Sequence, residues 1–245
     1  IGILSEGFNE TVSHVEALIG ELVNERMQKK EAELEALQYQ ITPHFMYNTL
    51  NSIKYAAILQ KSDRIAEQLG AFIELLQVSI NRQGAFLTVK EELRMVKNYV
   101  MLQQFRYMDS FDVKYYVDSE TEDLYVPRLI LQPLVENAIL HGINHEKGSC
   151  FIEVSVTISN EKLELAVSDN GEGMSEEQVT ELMSSNAGKL TSKGHFSGIG
   201  IPNIRDRLHL YYGEQGTLCY YSAVGIGTNA VITLPVSTDI AEYEI

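Results

Sequence analysis

The hydrophobic period of this 245-residue chain changes at Gly84, and this change limits the fold more than any other feature of the sequence. Before Gly84, apolar residues recur every three or four positions, which is the spacing of one face of a helix. After Gly84, short runs alternate between apolar and polar residues as strands do, and helical patterns separate them. The sequence therefore predicts a helical N-terminal part and a C-terminal part that combines helices with a sheet.

The N-terminal part predicts two long helices joined by a short turn. The first covers about residues 10–60, and the composition of Lys61–Asp63 is that of a turn and a helix cap. Apolar residues spaced by three and four follow along both helices: Leu34, Leu37, Ile41, then Ile65, Leu69, Phe72, Leu76 and Ile80. Because a two-helix hairpin has too little core to be stable alone, we expect two copies of the chain to pair into a four-helix bundle.

The C-terminal part predicts an α/β sandwich with helices on one face of a mixed sheet, so the fold class of the chain is α+β. The predicted strands cover residues 111–117, 151–158, 163–168, 217–222 and 229–234. The predicted helices run from a capping box at Thr88 and Glu91 to about Gln104, from Pro127 to about His141, from a cap at Ser175 and Gln178, and from Pro202 to about Tyr212.

Composition excludes some partners and favours one compartment. The net charge of −15 repels nucleic acid and anionic lipid, so neither is expected as a direct partner. The two cysteines, Cys150 and Cys219, are expected to be small core residues in a reducing cytosol. No run approaches the ~18 apolar residues of a membrane helix. Because the chain begins at Ile1 rather than at Met, we expect it to be a piece of a longer protein.

Two polar residues follow apolar runs where a nucleotide could bind. Asn137 interrupts the apolar side of a predicted helix, and its amide oxygen could coordinate a hard cation, although a surface asparagine explains it equally well. Asp169 ends an apolar strand, and its carboxylate could accept a hydrogen bond from the amino group of adenine. Gly171 and Gly173 follow it and would let a ligand approach the backbone, although an ordinary turn also explains this run.

A third candidate element precedes the predicted helix at Pro202. Gly198 and Gly200 would leave free amides at the positive end of that helix, where phosphate binds readily. The glycine- and serine-rich segment 184–197 has no predicted element and has the length of a mobile lid. No Gly-x-x-x-x-Gly-Lys-Ser/Thr motif occurs, which excludes a P-loop.

His44 is the candidate nucleophile. It lies between Pro43 and Phe45 in the long helical pattern, and Pro43 removes one helical hydrogen bond and should kink the helix there. A neutral imidazole is already a nucleophile near its ordinary pKa of about 6.5. Since the three nucleotide elements follow in order, the sequence suggests a protein that phosphorylates its own histidine.

These motifs resemble those of a known family. Pro43–Asn51 resembles the phosphoacceptor box of LytS/YesM-like sensor histidine kinases, and Gln132–Gly142 resembles their N box. Asp169–Gly173, Gly198–Asn203 and Gly225–Thr228 resemble the three glycine boxes of the gyrase, chaperone, histidine kinase and MutL (GHKL) ATPases. Together they cover roughly residues 30–236 in the order that the family has.

The resemblance implies three domains. Residues 1–20 would end a signal-relay helix similar to a HAMP module, 21–85 would form the dimerisation and histidine phosphotransfer hairpin, and 86–240 would form a GHKL-type catalytic domain. It also implies the cytoplasmic portion of a bacterial plasma-membrane sensor, attached to the membrane only through N-terminal segments absent from this chain. The homodimer would pass a phosphoryl group to a response regulator of a two-component system.

The resemblance also implies a role for each site residue, with ATP and Mg²⁺ as the bound groups. Asn137 would hold the magnesium ion, Asp169 would bind the adenine amino group, and Thr228 would support the adenine end. His141 would lie beside the nucleotide, while the pocket walls would be formed by four glycines: Gly171, Gly173, Gly198 and Gly200. His44 would take the γ-phosphoryl group and pass it to an aspartate of the regulator.

Two departures from the wider families bear on the chemistry. Gyrase-type ATPases carry a catalytic glutamate one turn before the metal-binding asparagine, and Pro133 stands at that place here, which argues against transfer to water. Many histidine kinases carry an acid directly after the phosphoacceptor, and Phe45 stands there, so the general base stays open, with Glu136 as one candidate. Two alternatives remain: a GHKL-fold ATPase or serine kinase, and a catalytically inactive dimer scaffold.

Overall fold

A computed structural model describes residues 45–80, 84–142, 150–183 and 200–238 of the chain. His44, Gly198 and most of the predicted first helix lie outside the described residues. The chain divides into two compact units, residues 1–66 and 67–245. The predicted domain bounds at 20 and 85 stay a prediction.

The described part of the first unit is a helix that ends in a well-defined cap. Helix α1 covers residues 45–59, and helix α2 begins at Asp63. Between them, the amide of Ser62 donates to the carbonyl oxygen of Ala57, and the amide of Lys61 donates to that of Ile58, both at 2.9 Å. Lys61 has a φ of 57°, so these bonds form the left-handed Schellman ending of a helix. The predicted turn between two helices is confirmed.

The second unit contains a five-stranded sheet with the order β2-β4-β5-β7-β6. The strands are β1 (Phe86–Thr88), β2 (Phe111–Val117), β3 (Tyr125–Pro127), β4 (Cys150–Ser159), β5 (Lys162–Asp169), β6 (Thr217–Ala223) and β7 (Gly227–Pro235). The helices are α2 (Asp63–Ile80), α3 (Val89–Arg106), α4 (Gln132–Gly142), α5 (Glu176–Met183) and α6 (Gly200–Tyr212). Strand β2 runs parallel to β4 and the other neighbours are antiparallel, so the sheet is mixed, as predicted.

The core lies between one face of this sheet and the helices. Burial alternates along the central strands, because successive side chains of a strand point to opposite faces. On β7 the buried residues are Ala230, Ile232 and Leu234. Helix α4 faces them with Leu134, Val135 and Ile139, all nearly fully buried. The predicted fold class, helices with a mixed sheet in an α/β sandwich, is confirmed.

The predicted helix start at Pro127 is wrong. Pro127 ends β3, which pairs with β1, and α4 begins only at Gln132. Between them Leu129 has a φ of 55°, which interrupts any helix. The amides of Leu134 and Val135 donate to the carbonyl oxygen of Leu131, so Leu131 precedes the first turn and Pro133 is the proline that opens this helix.

Most of the segment that follows Gly84 is held in a strand. Phe86–Thr88 forms β1, and the Phe86 ring is buried 4.9 Å from the ring of Tyr211, centroid to centroid. Gly84 has a φ of 83°, a conformation that favours glycine. Ala85 is also held, because its carbonyl oxygen accepts a hydrogen bond of 3.0 Å from the amide of Arg128.

The cysteine expectation holds for one residue only. Cys150 is buried on β4, and burial together with the charge of Asp169 raises the pKa of its thiol to about 11. Cys219 is exposed on β6, so the prediction that it is a core residue is wrong. Burial alternates along β6, and Cys219 is on the exposed side whereas the neighbouring Leu218 is buried. None of the helices that the structure describes is long and apolar enough to cross a membrane.

Candidate functional site

Asp169 lies at the end of β5, directly opposite Thr228 at the start of β7. Its Oδ1 accepts a hydrogen bond of 2.8 Å from the amide of Gly171. Burial raises the pKa of the Asp169 carboxyl above its ordinary value, while the amides of Gly171 and Thr228 and the charge of His141 act in the opposite direction. The result is a half-buried carboxylate at the edge of the core with acceptor capacity to spare.

Two glycines bring the loop after β5 against the turn between β6 and β7. A Cβ atom on Gly173 would lie 1.9 Å from the carbonyl oxygen of Ala223, and a Cβ on Gly227 would lie 1.9 Å from that of Asp169. Their φ values are 68° and 130°, which other residues rarely adopt. Both positions therefore require glycine for space and for conformation, and they fix the backbone around Asp169.

Ser222 joins the same two segments by hydrogen bonds. Its Oγ accepts from the amide of Met174 at 2.8 Å and donates to the carbonyl oxygen of Gly227 at 2.9 Å. The Ser222 hydroxyl has only one hydrogen, and the bond to Gly227 uses it. In the 2.9 Å contact between Ser222 Oγ and Thr228 Oγ1, the Thr228 hydroxyl is therefore the donor. This orients the Thr228 hydroxyl and leaves its oxygen free to accept. Sequence reasoning missed Ser222, because a serine near the end of a strand carries no distinctive signal.

Asn170 fastens the Asp169 loop to the start of β4. Its Oδ1 accepts from the amide of Phe151 at 2.8 Å, and its own amide donates to the carbonyl oxygen of Phe151 at 3.3 Å. The position of the Asp169 carboxylate is therefore set by three strands: β5 covalently, and β7 and β4 through hydrogen bonds.

Helix α4 carries the remaining candidates of this unit. Asn137 is half-buried, whereas Glu136 and His141 are exposed. His141 is four positions after Asn137, so both project from the same side of the helix. His141 is close enough to Asp169 for its charge to lower the pKa of that carboxyl. Glu136 lies instead near α3, where its charge helps burial to raise the pKa of Tyr99 to about 12.

Comparisons with known proteins identify the family of the chain. A family model described as histidine kinase matches residues 32–111, and one described as histidine kinase-, DNA gyrase B- and HSP90-like ATPase matches residues 123–238. The sensor histidine kinase YesM of Bacillus subtilis is 33% identical over 98% of this chain. The sensor protein LytS of Staphylococcus haemolyticus is 31% identical over 85% of this chain.

This chain belongs to the LytS/YesM-like sensor histidine kinases. It covers 39% of the length of the YesM relative and 35% of that of the LytS relative. A histidine kinase domain from Erythrobacter litoralis, that of the EL346 blue-light activated kinase, is 16% identical, with 82% of this chain and 97% of that chain covered and a TM-score of 0.48. The predicted family is confirmed.

Within this histidine kinase, the structure brings part of the predicted site together. Asp169, Gly171, Gly173, Thr228 and His141 surround one corner of the sheet. Asn137 lies one turn earlier on the helix that carries His141, and Gly200 begins α6. His44 and Gly198 lie outside the described residues, although the two family matches include them. The role of each residue stays a prediction.

Proposed function

We propose that this chain is the kinase portion of a two-component sensor that binds Mg-ATP, phosphorylates His44 and passes the phosphoryl group to an aspartate of a response regulator. One observation supports this most strongly. The half-buried Asp169 carboxylate, with free acceptor capacity, lies beside two obligatory glycines inside the segment that the ATPase family model matches. A carboxylate so placed suits the amino group of adenine.

Each residue of the site would bind a different part of the nucleotide. Asp169 would accept from the adenine amine, and the oriented Thr228 hydroxyl would accept a further hydrogen bond at that end. Gly171 and Gly173 would leave the backbone accessible, and the amides at Gly198 and Gly200 would bind phosphate oxygens at the start of α6. His141 would lie beside the nucleotide, near Asp169.

Asn137 on α4 is a suitable ligand for a magnesium ion. The Asn137 amide is half-buried on the side of α4 that also carries His141, and an amide oxygen binds a hard cation without adding negative charge. Magnesium usually takes few protein ligands and completes its shell with phosphate oxygens and water. Bound there, it would neutralise charge on the triphosphate. Nearby Pro133 offers no side chain to activate water.

Phosphoryl transfer would require the imidazole of His44 to reach the γ-phosphorus of ATP. An imidazole nitrogen forms a bond to the γ-phosphorus, the bond from that phosphorus to the bridging oxygen breaks, ADP leaves and the imidazole loses its N–H proton. Glu136 is a candidate acceptor of that proton because it is exposed on the N-terminal half of α4. The phosphoryl group then moves from nitrogen to a carboxylate oxygen of the regulator.

A homodimer and a membrane context complete the proposal. Apolar side chains are exposed on the single chain in the first unit, among them Ile53, Ile58, Leu59 and Ile65. A second copy would cover them in the four-helix bundle expected from the sequence. Residues 1–20 would relay a signal to the hairpin at 21–85 and the catalytic domain at 86–240, on the cytoplasmic side of a bacterial plasma membrane.

The test is incubation of the chain with Mg-ATP labelled at the γ-position. The proposal expects labelled protein and little free phosphate. Steady release of phosphate without labelled protein would favour a GHKL-fold ATPase, and label stable to acid would favour a serine kinase. Absence of nucleotide binding would favour an inactive scaffold. Asn137→Ala should abolish magnesium-dependent binding if the asparagine holds the ion.

A further inference from the structure

A buried carboxylate holds the loop that leads into α4. Glu92, on α3, has no solvent exposure, and its Oε2 and Oε1 accept hydrogen bonds from the amides of Leu129 and Leu131 at 2.8 and 2.9 Å. We call residues 128–131 the pre-α4 loop. A charged group is rarely buried fully unless it is paired or hydrogen-bonded, and here both oxygens are used.

The pre-α4 loop adopts a conformation that it would not take by itself. Leu129 has a φ of 55°, which is a rare value for a residue with a large side chain. Such a conformation persists only where the surroundings impose it, and it is frequent at functional sites. The hydrogen bond from the Leu129 amide to Glu92 supplies that restraint, because it fixes the direction of the peptide group.

The same loop is bound from α6. Nη2 of Arg207 donates to the carbonyl oxygen of Arg128 at 2.6 Å, and its charge acts on the Glu92 carboxyl. Arg207 lies seven residues, about two turns, after Gly200. Glu92 and Arg207 thus hold one short loop from two sides, one from α3 and the other from α6.

Helices α4 and α6, which the pre-α4 loop connects through these bonds, both carry residues of the proposed site. Leu131 precedes the first turn of α4, so the bond from its amide to Glu92 fixes where that helix begins. Asn137 and His141 follow about two and three turns later along a rigid rod. A change at the start of α4 therefore shifts or rotates these side chains, while Asp169 keeps its own restraints from β4 and β7.

We propose that Glu92 and Arg207 are positioning residues that act as one unit, setting the placement of α4 and α6 at the nucleotide site. This rests on the proposed function. It follows that losing either residue weakens the magnesium-dependent part of ATP binding more than the contact with adenine, since the former depends on Asn137 and the latter on Asp169.

The experiment uses the 245-residue chain and measures two quantities by equilibrium dialysis: the Mg²⁺ concentration that gives half-maximal ATP binding, and the Kd of adenosine. The variants are Glu92→Gln, Arg207→Gln, the double variant and Arg207→Lys. Glu120→Gln, at an exposed glutamate, is the control for the same chemical change. Loss of a supporting group around a metal ligand weakens metal binding by about 10-fold or more.

The expected result is an increase of about 10-fold in half-maximal Mg²⁺ for each Gln variant, with a smaller change in adenosine Kd. The double variant should match the worse single variant, and Arg207→Lys should recover part of the loss. If Glu92→Gln does not fold, the half-maximal Mg²⁺ concentration and the adenosine Kd of Arg207→Gln test the positioning role.

Three results would overturn the positioning role. These are unchanged Mg²⁺ dependence in the folded variants, effects that multiply in the double variant, and equal loss of adenosine binding, which would indicate general destabilisation. Failure of the unmodified chain to bind Mg-ATP would instead contradict the proposed function.

Discussion

The carbonyl oxygen of Ala223 occupies the space where a Cβ atom of Gly173 would lie, at 1.9 Å. Replacing Gly173 with alanine therefore moves the β6–β7 turn or the loop after Asp169, and it also places alanine at a φ of 68°. We expect Gly173→Ala to lower the free energy of unfolding by at least about 3 kcal/mol and to weaken ATP binding. Urea unfolding and nucleotide titration measure the two effects.

Gly213→Ala is the matched control. Gly213 also has a positive φ, 55°, but nothing lies within 4 Å of its Cβ position. It should therefore show only the conformational cost, about 1–2 kcal/mol. Equal losses of stability in the two variants would mean that the contact with Ala223 has no energetic weight.

Asp169→Asn should raise the thermal stability of the chain and lower its affinity for adenosine. Burial raises the pKa of Asp169 above its ordinary value of 3.8, so its ionised form is costly in the folded state. The stability that this group contributes is present below pH 3.8 and is lost as the pH rises through the raised pKa. At pH 7 the asparagine variant should therefore melt at a higher temperature without nucleotide. Adenosine affinity should fall by about 10-fold or more, because a hydrogen bond to a charged group is lost.

The pH dependence of adenosine binding checks the same carboxylate. In the unmodified chain, affinity should fall on acidification at a pH above 3.8, where Asp169 takes up its proton. In Asp169→Asn this titration should be absent. The same acid-dependent loss in both chains would show that another group is responsible.

Ser222→Ala tests the hydrogen bonds that join β6, β7 and the Asp169 loop. The change leaves the Met174 amide and the Gly227 carbonyl without their partner, and it frees the Thr228 hydroxyl. We expect a loss of about 1–3 kcal/mol in the free energy of unfolding. Ser119→Ala, at an exposed serine, should change it by less than about 0.5 kcal/mol. A Ser222 variant as stable as this control would contradict the network.

Lys61→Gly should stabilise the end of α1. Lys61 has a φ of 57°, where glycine is free of the steric cost of a side chain. The gain should be about 0.5–1 kcal/mol after the larger entropy loss of glycine is subtracted. Lys54→Gly, inside α1, should instead cost about 1 kcal/mol. Thermal unfolding followed by circular dichroism compares the two, and destabilisation in both would exclude a left-handed residue at position 61.

Local signals in the sequence predicted most of the fold correctly. The capping box predicted from Thr88 and Glu91 is present, with each side chain bonded to the backbone of the other residue. Ser175 and Gln178 show the same reciprocal arrangement. Such caps depend on a few neighbouring residues, so spacing alone reveals them.

The features that the sequence did not reveal depend on distant residues. The helix start at Pro127 was wrong because β1, about forty residues earlier, pairs with that segment and because Glu92 stabilises the unusual backbone of Leu129. Ser222 was missed because a serine near the end of a strand carries no distinctive signal and because one of its partners, the amide of Met174, lies in a different loop. Asp169 was predicted from its place at the end of an apolar strand, and Thr228 only from the family resemblance. Their direct opposition across two strands depends on the sheet register, which the sequence does not give.

In the proposed function, His44 receives the γ-phosphoryl group. The most direct measurement is incubation of the unmodified chain, His44→Gln and His209→Gln with γ-labelled Mg-ATP, followed by acid and base treatment of the labelled protein. His209 is exposed on α6 and serves as the control for loss of a histidine. We expect label that survives base and is lost in acid, and we expect it in the His209 variant but not in the His44 variant. Acid-labile label that persists in His44→Gln would contradict it.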